Sequence, residues 1–212
     1  VRKVPAMRRG YRCLIPLTFL LLAACGQAPK TAEKAKEPPK PPEPVSAQWA
    51  FHQMYVYARS WAPDATPLRL ASIELSEVPC KAGKCGAWEA VFVSPRLGRA
   101  RRLTYSVIEA EGNLHKGVFA GLEETWTGPR GQAEPFPVAA FKVDATAAHE
   151  LAMKKGADYA KKNPDMPMSY LLEKTKRFPN PAWRVIWGRS VATSGYSIFV
   201  DAATGDYLAT GR

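Results

Sequence analysis

The chain has 212 residues, 46% of them hydrophobic, with 30 Lys and Arg against 19 Asp and Glu for a formal charge of +11. Much of that charge lies outside the region able to fold: residues 1–24 hold five basic residues and no acid, and residues 25–45 hold four Lys against three Glu. The remainder, 46–212, carries 21 basic and 16 acidic residues, a net of +5, and the apolar run 14–24 is too short to cross roughly 30 Å of hydrocarbon as a mature helix. The first element is an export signal. Arg8, Arg9 and Arg12 precede that apolar run, which ends in small residues, the layout of a removable secretory segment. Met7-Arg8-Arg9-Gly10 opens a better signal than Val1, so residues 1–6 are expected to reflect the choice of gene start.

Leu22-Ala23-Ala24-Cys25 resembles the lipobox of bacterial lipoproteins. The resemblance implies cleavage before Cys25, a diacylglyceryl thioether on Cys25 and acylation (palmitate) of the new N-terminus. It also implies a cell-envelope location, which removes nucleic acid from the partners. Gly26 follows the cysteine where an Asp would resemble an inner-membrane retention signal. The expected site is therefore the outer membrane facing the periplasm in a two-membrane cell, and the outer face of the plasma membrane otherwise. Residues 25–45 are then a linker. They have almost no large apolar side chains and prolines at 29, 38, 39, 41, 42 and 44, so they favour an extended polyproline tether reaching up to roughly 60 Å.

From residue 46 the chain matches itself. Trp88-Glu89-Ala90-Val91-Phe92 answers Trp183-Arg184-Val185-Ile186-Trp187, and Tyr105-Ser106-Val107-Ile108 answers Tyr196-Ser197-Ile198-Phe199. Pro63-Asp64 answers Pro164-Asp165 in the same order. Each copy opens with a helix. Ala47, Phe51, Met54, Tyr55, Ala58, Trp61 and Ala62 fall on one face in the first; Ala148, Leu151, Ala152 and Tyr159 do so in the second. Asp144 or Thr146 can cap the second helix, and Asn163-Pro164 ends it. Strands are predicted at 68–76, 86–94, 101–110 and 114–120, then at 168–176, 182–190, 195–201 and 206–210. Glu111-Gly112-Asn113 and Ala203-Thr204-Gly205-Asp206 supply turns for closing hairpins. The expected class is α+β: a unit at 46–120, a connector at 121–140 and a second unit at 141–212, each a helix over an antiparallel meander.

The second unit resembles a PepSY domain. The likeness rests on the Ala-rich helix from Asp144, on Trp183-Arg184-Val185, and on Tyr196-Ser197-Ile198-Phe199-Val200-Asp201-Ala202 with Thr204-Gly205. The first unit is a degenerate copy, because Glu109-Ala110-Glu111-Gly112 lacks the Asp and the Thr-Gly pair. The resemblance implies a helix-on-sheet fold and a non-catalytic binding or inhibitory role. It carries over no catalytic residue; Asp201, Thr204 and Gly205 transfer as turn-formers only.

The remaining chemistry is sparse. Cys80 and Cys85 flank Lys81-Ala82-Gly83-Lys84 and read as a local disulfide in an oxidising compartment. Arg96, Arg99, Arg101 and Arg102 form the one basic cluster, a candidate site for anionic glycan or lipid, or a solvated hairpin tip. His149-Glu150-Leu151-Ala152-Met153 lacks the second imidazole of a zinc-protease helix, and Gly188-Arg189-Ser190-Val191-Ala192 lacks the last glycine of a nucleophile elbow. No metal, cofactor or catalytic set is expected. The leading expectation is a lipid-anchored module that binds another envelope protein, a peptidase held in check being one candidate. The alternatives are a binder of anionic surfaces and an unrecognised hydrolase.

Overall fold

The computed structural model describes residues 40–129 and 133–211. The signal segment, Cys25 and most of the Pro-rich tether lie outside the described residues. A two-residue strand β1 (Val45–Ser46) leads into helix α1 (Ala47–Trp61), followed by β2 (Thr66–Ile73), β3 (Lys84–Cys85), β4 (Ala87–Ser94), β5 (Arg99–Ser106) and β6 (Gly117–Thr125). After β7 (Ala133–Glu134) and a single 3-10 turn come α2 (Ala145–Lys155), α3 (Ala157–Lys162), β8 (Met168–Thr175), β9 (Ala182–Trp187), β10 (Tyr196–Asp201) and β11 (Tyr207–Gly211).

The chain is a mixed helix-and-sheet protein built on one large antiparallel sheet. Its strands run β11-β10-β9-β8-β2-β4-β5-β6, with β7 paired to β8 off this path and β1 paired to β3 separately. The order mirrors itself about the antiparallel β2–β8 pair, where Leu70 lies opposite Leu172. Both expected meanders therefore share a single sheet. Strand β6 reaches Thr125, so the first five residues of the expected connector belong to the sheet. Residues 107–116 do not close a regular hairpin at Glu111-Gly112-Asn113; they form a loop held by two isolated bridges, Ala110 to Leu114 and Ser106 to Lys116.

Alternation explains which face the helices cover. Trp88, Ala90 and Phe92 of β4, and Trp183, Val185 and Trp187 of β9, all turn into one core with Ala47, Phe51, Met54 and Ala58 of α1. Trp88 and Trp183 meet edge to face at 6.4 Å. Each indole also satisfies its polar atom next to its own helix: Trp88 Nε1 donates to Val45 O at 3.1 Å and Trp183 Nε1 to Val143 O at 2.8 Å. A buried indole N–H needs such a partner, so each tryptophan fixes the chain entering a helix as well as filling the core.

The two helix starts are tied together. Ser46 Oγ accepts from Trp49 N to cap α1. Asp144 occupies the cap position of α2, but its side chain accepts from none of that helix's backbone N–H groups, contrary to the expected cap; its Oδ1 accepts from Gln48 N of α1 at 2.8 Å, and Thr146 Oγ1 of α2 donates to its Oδ2 at 3.0 Å. The expected single second helix is broken at Gly156. A Cβ there would sit 2.8 Å from Trp187 Cη2, so the helix can cross the indole only at a residue without a side chain.

Candidate functional site

The helices leave the opposite sheet face to loops. Residues 73–78 and 107–115 fold over its β4–β6 end, where Leu75, Ala87 and Leu114 make a small second core. Between these loops lies a groove of about 670 Å³. Its floor is Glu89 of β4, Arg102 and Thr104 of β5, and Phe119 and Gly121 of β6, one residue type per step as the alternation on each strand dictates. Arg102 Nη1 lies 3.3 Å from Glu89 Oε2, and Thr104 Oγ1 is buried without a hydrogen-bond partner. Glu74, Glu77 and Glu111 add carboxylates to the walls, so the groove is acidic on balance. Glu74 is paired at 3.3 Å with Arg189.

One side of the groove is the sheet edge. Strand β6 pairs with β5 on one side and has no neighbour on the other among the described residues. Its ladder is interrupted opposite Arg102, where the register shifts between Arg101 and Leu103. Beside that shift Leu122 is 89% exposed, and Phe119 is 39% exposed. Loop 107–116 is braced by Glu109, whose carboxylate accepts from Lys116 N and contacts His115 Nδ1, both at 3.2 Å; the His115 ring rests on Phe119 at 4.6 Å. Of this floor and edge only Arg102 was singled out in the sequence. Thr104, Phe119, Glu74 and Glu77 sit on different elements and make no linear motif.

The four arginines singled out in the sequence are not gathered into one patch. Arg99 and Arg101 alternate to the helix side of β5 and Arg102 to the groove side. Arg99 Nη1 donates to Thr125 Oγ1 at 3.1 Å. Arg101 donates from Nε to Gly121 O at 3.1 Å, lies 3.8 Å from Glu123 and covers the Tyr57 ring at 5.7 Å. Arg96 lies in the β4–β5 turn, which Asp64 organises by accepting from Ser94 Oγ at 2.7 Å and Arg96 N at 2.9 Å. The Ser94 bond first, then the Arg96 N–H, hold the Asp64 carboxyl below its ordinary range.

Cys80 and Cys85 form the disulfide. It closes a loop that docks on the second helix: a Cβ on Gly83 would lie 2.5 Å from Ala145 O. Gly83 N donates to the buried Tyr170 Oη at 3.0 Å, which lies 2.9 Å from His149 Nδ1. Burial lowers the His149 pKa, with Glu150 working weakly against it, and raises that of Tyr170 to about 12. His149 is thus a tie between α2, β8 and the disulfide loop. Ser190 Oγ lies 3.1 Å from Thr193 Oγ1, and among the described residues no His, Asp or Glu hydrogen-bonds to it. The Asp201 carboxylate caps the β10–β11 turn, accepting from Ala203 N at 2.8 Å and Thr204 N at 3.1 Å. Among the described residues no group of three or more His, Cys, Asp and Glu could hold a metal ion, and no helix is long and apolar enough to cross a membrane.

No family model matches the chain, and no curated protein matches it. Among solved structures the chain is similar to a candidate lipoprotein from Clostridium difficile 630, at 11% identity and a TM-score of 0.44, covering 76% of this chain and 91% of that one.

Proposed function

We propose that the protein is a lipid-anchored envelope module that binds, without catalysis, an extended peptide segment of another envelope protein along β6 and over the acidic groove. The observation that carries this reading is the free edge of β6, with exposed Phe119 and Leu122, beside a groove of about 670 Å³. An unpaired strand presents a row of backbone donors and acceptors that an extended peptide can satisfy, while pockets beside it select alternate side chains. The carboxylates of Glu74, Glu77 and Glu111 favour a peptide bearing Lys or Arg at one such position.

The anchor in this reading is Cys25 of the lipobox-like Leu22-Ala23-Ala24-Cys25, and the Pro-rich stretch is the tether. Two PepSY-like units, joined through their first strands, account for the mirrored strand order and for the matching Trp88 and Trp183 contacts. Lipidation is tested by metabolic labelling with a palmitate analogue, which Cys25→Ser must abolish.

Peptide binding is tested by selecting displayed peptides of ten random residues against the chain. The expected winners alternate apolar and basic residues, and Phe119→Ala weakens them at least tenfold. Winners that bind Phe119→Ala equally well, or that carry acidic residues and lose affinity as salt screens the arginines, refute this reading in favour of the anionic-surface one.

A further inference from the structure

A second cavity, about 410 Å³, lies on the helix side of the sheet at the α2–α3 junction. Met153, Met166 and Met168 all line it, together with Trp187. They are three of the four methionines among the described residues; the other, Met54, is fully buried in the core under α1. The three arrive from different elements. Met153 stands near the end of α2, Met166 in the turn after α3, and Met168 at the start of β8. Met168 is the register partner of Trp187 across the β8–β9 ladder, so their Cβ atoms are roughly 5 Å apart. Tyr159 Oη donates to Met166 Sδ at 3.8 Å, which orients that sulfur; Tyr159 also packs on Trp187 with 6.0 Å between rings. The missing side chain at Gly156 lets the helix turn that carries Met153 close on Trp187.

The chemistry of the lining is selective. No Leu, Ile, Val or Phe lines the cavity; its large uncharged aliphatic side chains are all thioethers. Leucine would serve equally for an apolar ligand, because Leu and Met exchange with little change in packing volume. Thioethers add to their flexibility what leucine lacks altogether: a soft, neutral sulfur donor. Such donors discriminate against hard divalent cations and favour Cu(I). The remaining polar lining residues are Lys161 and Asn163, neither of them a soft donor.

We propose that Met153, Met166 and Met168 form a binding site for a soft monovalent metal ion, Cu(I) or its redox-inert counterpart Ag(I), with Trp187 as its aromatic wall. Binding adds the ion to neutral sulfurs; no proton leaves and no electron moves. The site stands apart from the β6 groove and does not depend on the peptide-binding reading.

The test titrates silver nitrate into the full chain carrying 13C-methyl-labelled methionine and follows the methionine methyl signals by NMR. The expected result is saturation at one ion per chain, with Met153, Met166 and Met168 shifted together and Met54 unmoved. Anaerobic competition with a chromophoric chelator extends the reading to Cu(I). Met153→Leu and Met168→Leu, which keep the volume and the fold, each weaken binding at least tenfold. Three unmoved methyls, a Met54 shift of equal size, or leucine variants that titrate like the parent overturn the proposal. So does a cavity whose methyls respond to benzene and not to silver, since that result identifies an apolar ligand site.

Discussion

Replacing Asp144 by alanine removes one carboxylate that serves two helix starts. Its Oδ1 accepts the Gln48 N–H of α1 at 2.8 Å, and its Oδ2 holds Thr146 Oγ1 of α2 at 3.0 Å. Loss of an N-terminal cap costs about 1 kcal/mol, and a hydrogen bond to a charged group is worth more than a neutral one. The two adjacent helix N-termini add a further favourable field of about 0.5 kcal/mol. The sum is about 2 kcal/mol, and it falls on the tie between the two halves. Ser46 still caps α1 through Trp49 N, so the helix itself survives. The assay is urea unfolding followed by circular dichroism. With a slope of about 2 kcal/mol/M the midpoint falls by about 1 M at unchanged slope. Asp144→Asn, which keeps an acceptor for Gln48, loses about half as much. A midpoint shift under about 0.2 M for Asp144→Ala refutes the shared cap, and so does a Gln48→Ala variant that alone reproduces the whole loss.

Gly83→Ala forces a side chain onto Ala145 O, 2.5 Å away, at a residue with φ of +82°. It should cost at least about 2 kcal/mol by the same denaturation assay, while Ala82→Gly, at φ of +48°, should not destabilise. Cys80→Ala with Cys85→Ala releases the loop and lowers stability by about 2 kcal/mol, read as the difference between parent and variant midpoints. Burial lowers the His149 pKa below its ordinary 6.5, so the folded chain binds that proton less readily than the unfolded one. The His149 contribution is therefore fully present above pH 6.5 and declines as pH falls through that value toward the lowered folded pKa; His149→Gln should flatten this part of a stability–pH profile.

The strands were legible because their alternation is strong. Trp88, Ala90 and Phe92, and Trp183, Val185 and Trp187, place β4 and β9 within a few residues of the observed ends. The Val200-Asp201-Ala202…Thr204-Gly205 turn was legible for a local reason, since the Asp201 side chain bonds backbone two and three residues ahead. What the sequence did not reveal depends on distant neighbours. The break at Gly156 exists because Trp187 lies beneath it, and a helical stripe carries no sign of that indole. Leu70 and Leu172 read as inward-facing in either arrangement, so alternation could not say that β2 and β8 would pair. The arginine cluster lies within seven residues of sequence but strand geometry splits it, sending Arg101 toward Tyr57 and Arg102 toward Glu89. The groove reverses the sign of charge that the cluster suggested, because Glu74, Glu77 and Glu111 from the loops join Glu89 of β4 around Arg102.

The central claim is that a protein partner meets the β6 edge. The most direct measurement places a photo-crosslinking residue at Phe119 in the full chain in cells, with the same residue at Val191, exposed on the β9–β10 loop, as control. The account predicts one recurrent envelope protein crosslinked from position 119, through an extended segment bearing Lys or Arg, and not from position 191. Lipid or glycan adducts alone, or the same set of proteins from both positions, would contradict it.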